Sequence, residues 1–172
     1  AFLAPRDGVT NIWVLSVDAM DEARPVTDER ERGITNFRWA ADGATLLYLR
    51  DENGDENTRL FAVDNSGSAP RALTPAGGRA EIIGLSANDP GAVVVSLNER
   101  DRGWPDVVRV ELANGARTTL LRNGGPRGYT NVLLDRDNAV RVAVRSRADG
   151  SGEVVAFEPR GRARTLFEIP FV

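Results

Sequence analysis

The chain has 172 residues, of which 41% are hydrophobic and 27% are charged, and its formal net charge is −3. This composition predicts one folded domain with a sizeable core, and it excludes a disordered chain and a basic nucleic-acid binder. Because the chain contains neither Cys nor His, it excludes disulfides, the common zinc ligands and a Ser-His-Asp triad that works within this chain alone.

Apolar runs in the chain are short. None approaches the ~20 apolar residues that a membrane helix needs, so we expect no contact with a membrane. The N-terminal AFLAPRDG lacks the basic region and the long apolar region of a signal peptide. The sequence leaves the compartment open between bacterial cytoplasm and periplasm, and it gives no indication of a cofactor.

Short runs of β-branched, leucine and aromatic residues, separated by Gly, Pro, Asn and Asp, predict strands throughout the chain. A first unit has strands at 1–7, 11–18 and 24–29. A second unit has strands at 36–40, 44–51, 58–64 and 71–75. A third has strands at 82–87, 92–99, 106–112 and 116–123, and a fourth at 130–135, 139–147, 153–159 and 163–169.

The same four-strand order recurs at intervals of about 45 residues, which indicates an all-β fold made of β-propeller blades. A β-sandwich would also contain many short strands, but it would not normally repeat one order three times. We expect a single domain over 1–172, with blades at about 1–35, 36–79, 80–125 and 126–172. The first unit lacks its opening strand, so we expect a piece of a longer propeller rather than a small four-blade ring.

The second strand of each unit is the most apolar, as in LLYL, VVVSL and VRVAV. Strands covered on both faces lose their polar alternation, so these runs predict that neighbouring blades stack on them. An incomplete ring leaves blade edges without a partner, and we therefore expect the chain to self-associate through those open edges.

The acidic stretch DENGDENTRLFAVD, residues 51–64, permits several interpretations. Asp51, Asn53, Asp55 and Asn57 occupy positions one, three, five and seven of a calcium loop. However, positions six and twelve hold Glu and Ala where that loop requires Gly and a bidentate Glu. As a catalytic carboxylate pair, the stretch lacks a partner group whose spacing the sequence defines. A hairpin turn needs only the Asn, Asp and Gly residues that are present.

The segment YLRDENGDENTRLFAVD, 48–64, is similar to a propeller blade of the prolyl oligopeptidase family of serine peptidases. It most resembles the bacterial branch related to acylaminoacyl peptidases and dipeptidyl aminopeptidases. Two further segments, 93–115 and 2–18, resemble the same family, so the likeness extends over roughly 1–125. The positions that match in the acidic stretch are Asp51, Gly54, Asp55, Glu56, Asn57, Leu60 and Asp64.

The resemblance implies a propeller that precedes an α/β-hydrolase domain carrying the catalytic Ser in a G-x-S-x-G motif. This chain contains no such motif, so the resemblance implies a non-catalytic part that gates and filters access of short peptides to the separate catalytic domain. We expect no catalytic, cofactor-binding or metal-binding residue here. The candidates for a substrate route or a domain interface are Asp51, Asp55, Glu56, Asn57, Arg59 and Arg100, and either arginine could pair with the acidic turn.

Two other functions remain open from the sequence. The chain could be a free-standing propeller similar to TolB, which binds partner proteins or a ligand. It could instead be a propeller enzyme that acts on sugars through Asp51 or Asp55. For the chain alone, we expect no hydrolysis of peptides or esters.

Overall fold

The apolar runs form short antiparallel strands because Gly, Asn and Asp turns interrupt them every few residues. The computed structural model describes residues 1–51, 54–158 and 162–171. The end of the predicted strand at 159 and the turn at 160–161 lie outside the described residues. The strands are β1 Phe2–Arg6, β2 Val9–Ser16, β3 Ala19–Pro25, β4 Phe37–Trp39, β5 Thr45–Arg50, β6 Arg59–Asp64, β7 Arg71–Ala72, β8 Ala80–Gly84, β9 Ala92–Leu97, β10 Asp106–Glu111, β11 Arg117–Leu121, β12 Asn131–Leu134, β13 Val140–Ser146, β14 Gly152–Phe157 and β15 Ala163–Ile169.

Consecutive strands pair with each other and form four separate antiparallel sheets. The first sheet contains β1–β3, the second β4–β7, the third β8–β11 and the last β12–β15. One 3-10 turn, Gly125–Arg127, precedes the last sheet. The prediction of an all-β fold built from propeller blades is confirmed, and the blades form an open arc. In the part of the chain that the structure describes, no helix has the length and apolarity needed to cross a membrane.

Each of the two inner sheets turns one face toward the sheet before it and the other toward the sheet after it; we call these its leading and trailing faces. On the leading face of the second sheet, Leu46 lies opposite Val63 and Tyr48 opposite Phe61. These four residues form one buried cluster with residues of the first sheet and of the segment that follows it, namely Ile12, Val14, Val26 and Ile34. Fully burying one large apolar side chain is worth about 1.5–3 kcal/mol, so this interface is a main source of stability.

The trailing face of the second sheet packs on the third sheet in the same manner. Leu47 and Ala62 are cross-strand partners on this face. They belong to a second buried cluster with Val93, Val95 and Val108 of the third sheet. Neighbouring residues along β5 therefore point into two different cores, as strand geometry requires.

The predicted burial of the second strands is observed in the two inner sheets and only partly in the last one. Leu46 and Leu47 in β5, and Val93 and Val94 in β9, are each 0% exposed. In β13 of the last sheet, by contrast, only Ala143 is fully buried. The difference arises because one face of the last sheet has no neighbour in the described structure.

The third strand of the first sheet lies at Ala19–Pro25 rather than at the predicted 24–29. The hairpin closes early because Ser16 pairs with Ala19 across a two-residue turn. The segment after the strand still runs alongside β2, since the hydroxyl of Thr27 accepts a hydrogen bond from the N–H of Ile12 at 2.9 Å. A side chain thus replaces one backbone hydrogen bond of the ladder, and a pattern of apolar residues does not reveal such a substitution.

Candidate functional site: the acidic turn and its arginine partners

The acidic turn connects β5 to β6 and is stabilised in part by its own side chains. Gly54 has φ of +77° and Glu56 has φ of +59°, which are left-handed conformations that Gly tolerates best. Asp55 accepts hydrogen bonds from the backbone N–H of Asn57 at 3.0 Å and from its Nδ2 at 2.9 Å. Asp51 accepts the N–H of Glu56 at 3.4 Å. The turn interpretation therefore explains the local backbone.

Arginines from both neighbouring blades bind the two ends of this turn. The Nε of Arg32, in the segment between the first and second sheets, lies 3.1 Å from Oδ1 of Asp51. The Nη1 of Arg102, in the β9–β10 loop of the third sheet, donates to Oδ1 of Asn57 at 2.8 Å. The turn thus links three consecutive parts of the arc. Sequence reasoning singled out neither arginine, because the contacts depend on how the blades stack.

The two arginines that the sequence did single out contact residues outside the acidic turn. Arg59, the first residue of β6, donates from Nε to the carbonyl of Thr74 at 3.3 Å. Its guanidinium lies 5.4 Å from the centre of the Phe61 ring. Arg100 pairs with Asp106 in its own sheet, and among the described residues it forms no ion pair with a carboxylate of the acidic turn. The pair forms because Asp106 begins β10, directly beside the loop that carries Arg100.

A charged and aromatic cluster lies next to the turn, at the interface of the first two sheets. Glu29 forms an ion pair with Arg50 and accepts a hydrogen bond from the hydroxyl of Tyr48 at 3.2 Å. The Arg50 guanidinium lies 4.7 Å from the centre of the Phe61 ring, and this ring stacks on Tyr48 with centroids 5.4 Å apart. Burial, reinforced by the charge of Glu29, raises the pKa of Tyr48 above its ordinary range. A tyrosine inside an otherwise aliphatic strand was the only sequence signal for this cluster.

The calcium interpretation gains no support from the described carboxylates. Asp51 is turned toward Arg32 and Asp55 toward Asn57, while Asn53 lies outside the described residues. Within the described ranges, no group of three or more carboxylate, His or Cys side chains could hold a metal ion. Asp55 and Glu56 are exposed at the tip of the turn.

The fold shows that this protein is part of a β-propeller. Its sequence relatives indicate which kind of propeller protein it resembles. No family model matches the chain. Dipeptidyl aminopeptidase BIII from Pseudoxanthomonas mexicana is 38% identical over 173 residues, which cover 99% of this chain and 25% of that relative. The chain spans about a quarter of the length of the curated relatives that it matches.

Solved structures show the same architecture at low sequence identity. A prolyl endopeptidase matches with a TM-score of 0.63 and 14% identity, over 99% of this chain and 26% of the endopeptidase. TolB from Acinetobacter baumannii matches with a TM-score of 0.55 and 16% identity, over 95% of this chain and 39% of TolB. At these identities the structures show the fold alone. Together with the sequence relatives, they confirm the resemblance to the prolyl oligopeptidase family: the chain is homologous to the propeller part of its peptidases.

Proposed function

We propose that the chain is the non-catalytic part of a serine peptidase and controls the access of short peptides to a separate α/β-hydrolase domain. The observation that carries the proposal is the 38% identity to a dipeptidyl aminopeptidase over 99% of the chain. A propeller that covers a hydrolase site limits substrates by size and keeps bulk water away from the reacting bond. Bond cleavage would belong entirely to the other domain.

The acidic turn is our candidate for the contact with that domain or with a passing peptide. Asp51 and Asn57 are engaged by arginines, and the exposed Asp55 and Glu56 lie between them. Asp51 and Asn57 anchor the turn at two points, which suits either role. A positively charged peptide terminus or a basic patch on the hydrolase domain would complement the two carboxylates.

Two measurements test the assignment to a peptidase. The complete reading frame that encodes the chain should also encode a G-x-S-x-G motif followed by Asp and His. The chain alone should hydrolyse neither peptide nor ester substrates, since it has no His. Turnover that co-purifies with the chain through repeated purification would contradict the proposal, as would a reading frame that encodes no hydrolase domain.

The access role is tested in the peptidase that contains this chain. Replacing both Asp55 and Glu56 by their amides should raise KM for short peptides with a free amino terminus if the tip meets substrate. If the tip meets the hydrolase domain, the same change should alter the ratio of kcat/KM between short and long peptides. Asp149→Asn, in the β13–β14 turn of the last sheet, provides the matched control. Unchanged kinetics in the double variant would remove the acidic turn from the proposal.

The second candidate is a free-standing binding propeller, and the match to TolB supports this fold for the chain. The two candidates differ in the reading frame and in the chain's behaviour in solution. A binding propeller would retain a partner without any associated hydrolase domain, whereas a peptidase part would associate with a domain encoded by the same gene.

A further inference from the structure

A groove lies between the second and third sheets, next to the acidic turn. Its volume is about 300 Å³, at the lower end of the range that ligand sites span. Thr58, which directly follows Asn57 of the turn, forms part of its lining. Both walls of the groove belong to the two inner sheets, so the blades that bound it are present on each side.

Two hydrogen bonds tie the walls of the groove to each other. The backbone N–H of Ala80 donates to the carbonyl of Thr58 at 2.8 Å. The hydroxyl of Thr58 donates in return to the carbonyl of Ala80 at 2.9 Å. The groove is therefore formed before any ligand arrives, and a pre-formed site loses less entropy on binding than one that must first become ordered.

The floor of the groove is apolar. Leu47 is 0% exposed, and Leu49 lies on the same face of β5 because it is two residues further along the strand. Ile82 of the third sheet lies opposite Val95 in β8 and β9. Leu49 and Ile82 are partly buried and pack against the same core cluster, so their remaining surface can accept an apolar side chain.

Arg38 in β4 lines the same groove. It lies opposite Leu47, and its side chain is exposed. Among the described residues, none forms an ion pair or a hydrogen bond with the Arg38 guanidinium. A guanidinium binds a carboxylate through two parallel hydrogen bonds, so Arg38 offers this contact directly beside an apolar surface.

The arginines that line two other cavities differ from Arg38, because each of them is already bound. Arg145 and Arg147 in the cavity beside the last sheet pair with a carboxylate of their own blade. Arg100 and Arg117 in the cavity beside the third sheet do the same. Of these three cavities, only the groove beside the acidic turn has an arginine that is available to a ligand within the described ranges.

The net charge of the groove is positive. The one carboxylate in its lining belongs to Glu81, which pairs with Arg79 at 2.9 Å. Since these two charges cancel, Arg38 leaves an excess positive charge at the groove. This excess favours a ligand that carries a negative charge.

Two of the strands that line the groove, β4 and β8, are edge strands of their sheets. An edge strand has backbone N–H and C=O groups that no neighbouring strand in the sheet uses. An extended peptide can bind such groups with its own backbone while its side chains enter nearby pockets. The groove thus combines contacts for a peptide backbone, an apolar side chain and a carboxylate.

We propose that this groove binds a short peptide, with a carboxylate of the peptide on Arg38 and a neighbouring apolar side chain on Leu49 and Ile82. The identification of the ligand as a peptide rests on the proposed function, whereas the preference for a carboxylate beside an apolar group rests on the groove itself. The carboxylate belongs either to the C-terminus of the peptide or to an Asp or Glu side chain.

Photo-crosslinking in the complete protein that contains this chain tests the proposal. The probes are acetyl-Ala-photoleucine with a free carboxyl terminus, the same peptide as its C-terminal amide, and acetyl-Glu-photoleucine amide. A fluorophosphonate first blocks any serine hydrolase site. Mass spectrometry should locate the label in β5 or β8 for at least one of the two probes with a carboxylate, and the one that labels identifies the source of that carboxylate. The neutral amide should label these strands about tenfold less.

Three variants separate the roles of the charges. Arg38→Gln should weaken labelling by the carboxylate probe about tenfold, and Glu81→Gln should strengthen it because a negative charge leaves the groove. Arg136→Gln is the matched control, since Arg136 is an exposed arginine in the turn between β12 and β13, and it should label like wild type. Circular dichroism verifies that each variant is folded.

Several results would overturn the proposal. They are the absence of label in β5 and β8 with both carboxylate probes, equal labelling by the neutral amide, unchanged labelling in Arg38→Gln, and weaker labelling in Glu81→Gln. Labelling requires no turnover, so these results are independent of whether the protein contains a hydrolase domain. A failure of the groove is thereby distinguished from a failure of the proposed function, which the reading frame tests.

Discussion

Arg100 and Asp106 form a two-point ion pair at one end of the third sheet, with Nε 2.9 Å from Oδ2 and Nη2 2.7 Å from Oδ1. The same Oδ1 accepts the backbone N–H of Asn123 at 2.7 Å. The side-chain amide of Asn123 in turn donates to the carbonyl of Tyr129 at 2.9 Å and accepts its N–H at 2.8 Å. The ion pair therefore fixes the connection from the third sheet to the last one.

This arrangement predicts an acid-sensitive contribution to stability from Asp106. The hydrogen bonds from Arg100 are the main cause that lowers the pKa of this carboxyl below its ordinary value of 3.8. A lowered pKa stabilises the fold above the ordinary value, and that stabilisation is lost as the pH falls through the lowered pKa. Asp106→Asn should therefore be less stable than wild type near pH 7, and the difference should shrink below about pH 4.

Urea midpoints of both proteins between about pH 3 and 7 measure this difference. Asp106→Ala is the comparison variant, because it also removes the acceptor of the buried N–H of Asn123. We expect it to cost a further amount of about 1–3 kcal/mol at every pH. A constant gap between wild type and Asp106→Asn across the whole range would contradict the prediction.

Tyr48 gives the opposite prediction at alkaline pH. Burial raises the pKa of its hydroxyl above the ordinary value of 10.0, so the neutral hydroxyl is retained in the folded state. The stabilisation is complete below pH 10 and is lost as the pH rises further, because the unfolded chain then releases the proton. Tyr48→Phe should cost about 1 kcal/mol near neutral pH through the lost hydrogen bond to Glu29.

The same variant should lose less stability than wild type when the pH is raised from about 8 to about 11. Thermal unfolding followed by circular dichroism measures both effects. Tyr48→Leu, which also removes the stack on Phe61, should be less stable than Tyr48→Phe at all pH values. If wild type and Tyr48→Phe respond identically to alkali, the assigned role of the hydroxyl is wrong.

The strand repeat could be predicted from the sequence because each apolar run and each turn signal is local. The predicted position of β3 was wrong because the hairpin closes after two residues, between Ser16 and Ala19, and because the hydroxyl of Thr27 then takes over a backbone hydrogen bond of Ile12. The partners of the acidic turn could not be predicted for a different reason. Arg32 and Arg102 reach Asp51 and Asn57 only once the blades have stacked, and no local pattern encodes that distance. The functional role of the turn remains a prediction.

The ion pair between Arg32 and Asp51 should order the acidic turn more than it stabilises the fold. Arg32 has a side chain that is 56% exposed, whereas that of Asp51 is 12% exposed. Pairs with an exposed partner contribute about 0–1 kcal/mol, so Arg32→Gln should change the unfolding free energy little. It should speed amide hydrogen exchange at Glu56, whose N–H donates to Asp51, because Asp51 loses its anchor.

Arg30→Gln is the matched control for that exchange measurement. Arg30 belongs to the same segment and pairs with Asp28 at 2.8 Å, away from the turn. A double-mutant cycle on Arg32 and Asp51 gives the coupling directly. Equal exchange rates at the turn in wild type, Arg30→Gln and Arg32→Gln would show that Arg32 does not anchor it.

Gly128 should be sensitive to any side chain because of Trp104, not because of its backbone conformation. Its φ is −62°, which every residue adopts, but a Cβ there would lie 2.4 Å from Cε3 of the Trp104 ring. The ring must move or the connection to the last sheet must shift, so Gly128→Ala should destabilise the fold by about 1–3 kcal/mol.

Gly91, where an added Cβ would meet nothing within 4 Å, is the control position. The double variant Gly128→Ala with Trp104→Leu should recover part of the loss, because the smaller side chain makes room. Denaturant midpoints measure all four proteins, and a Gly128→Ala protein as stable as wild type would show that the ring does not occupy this space.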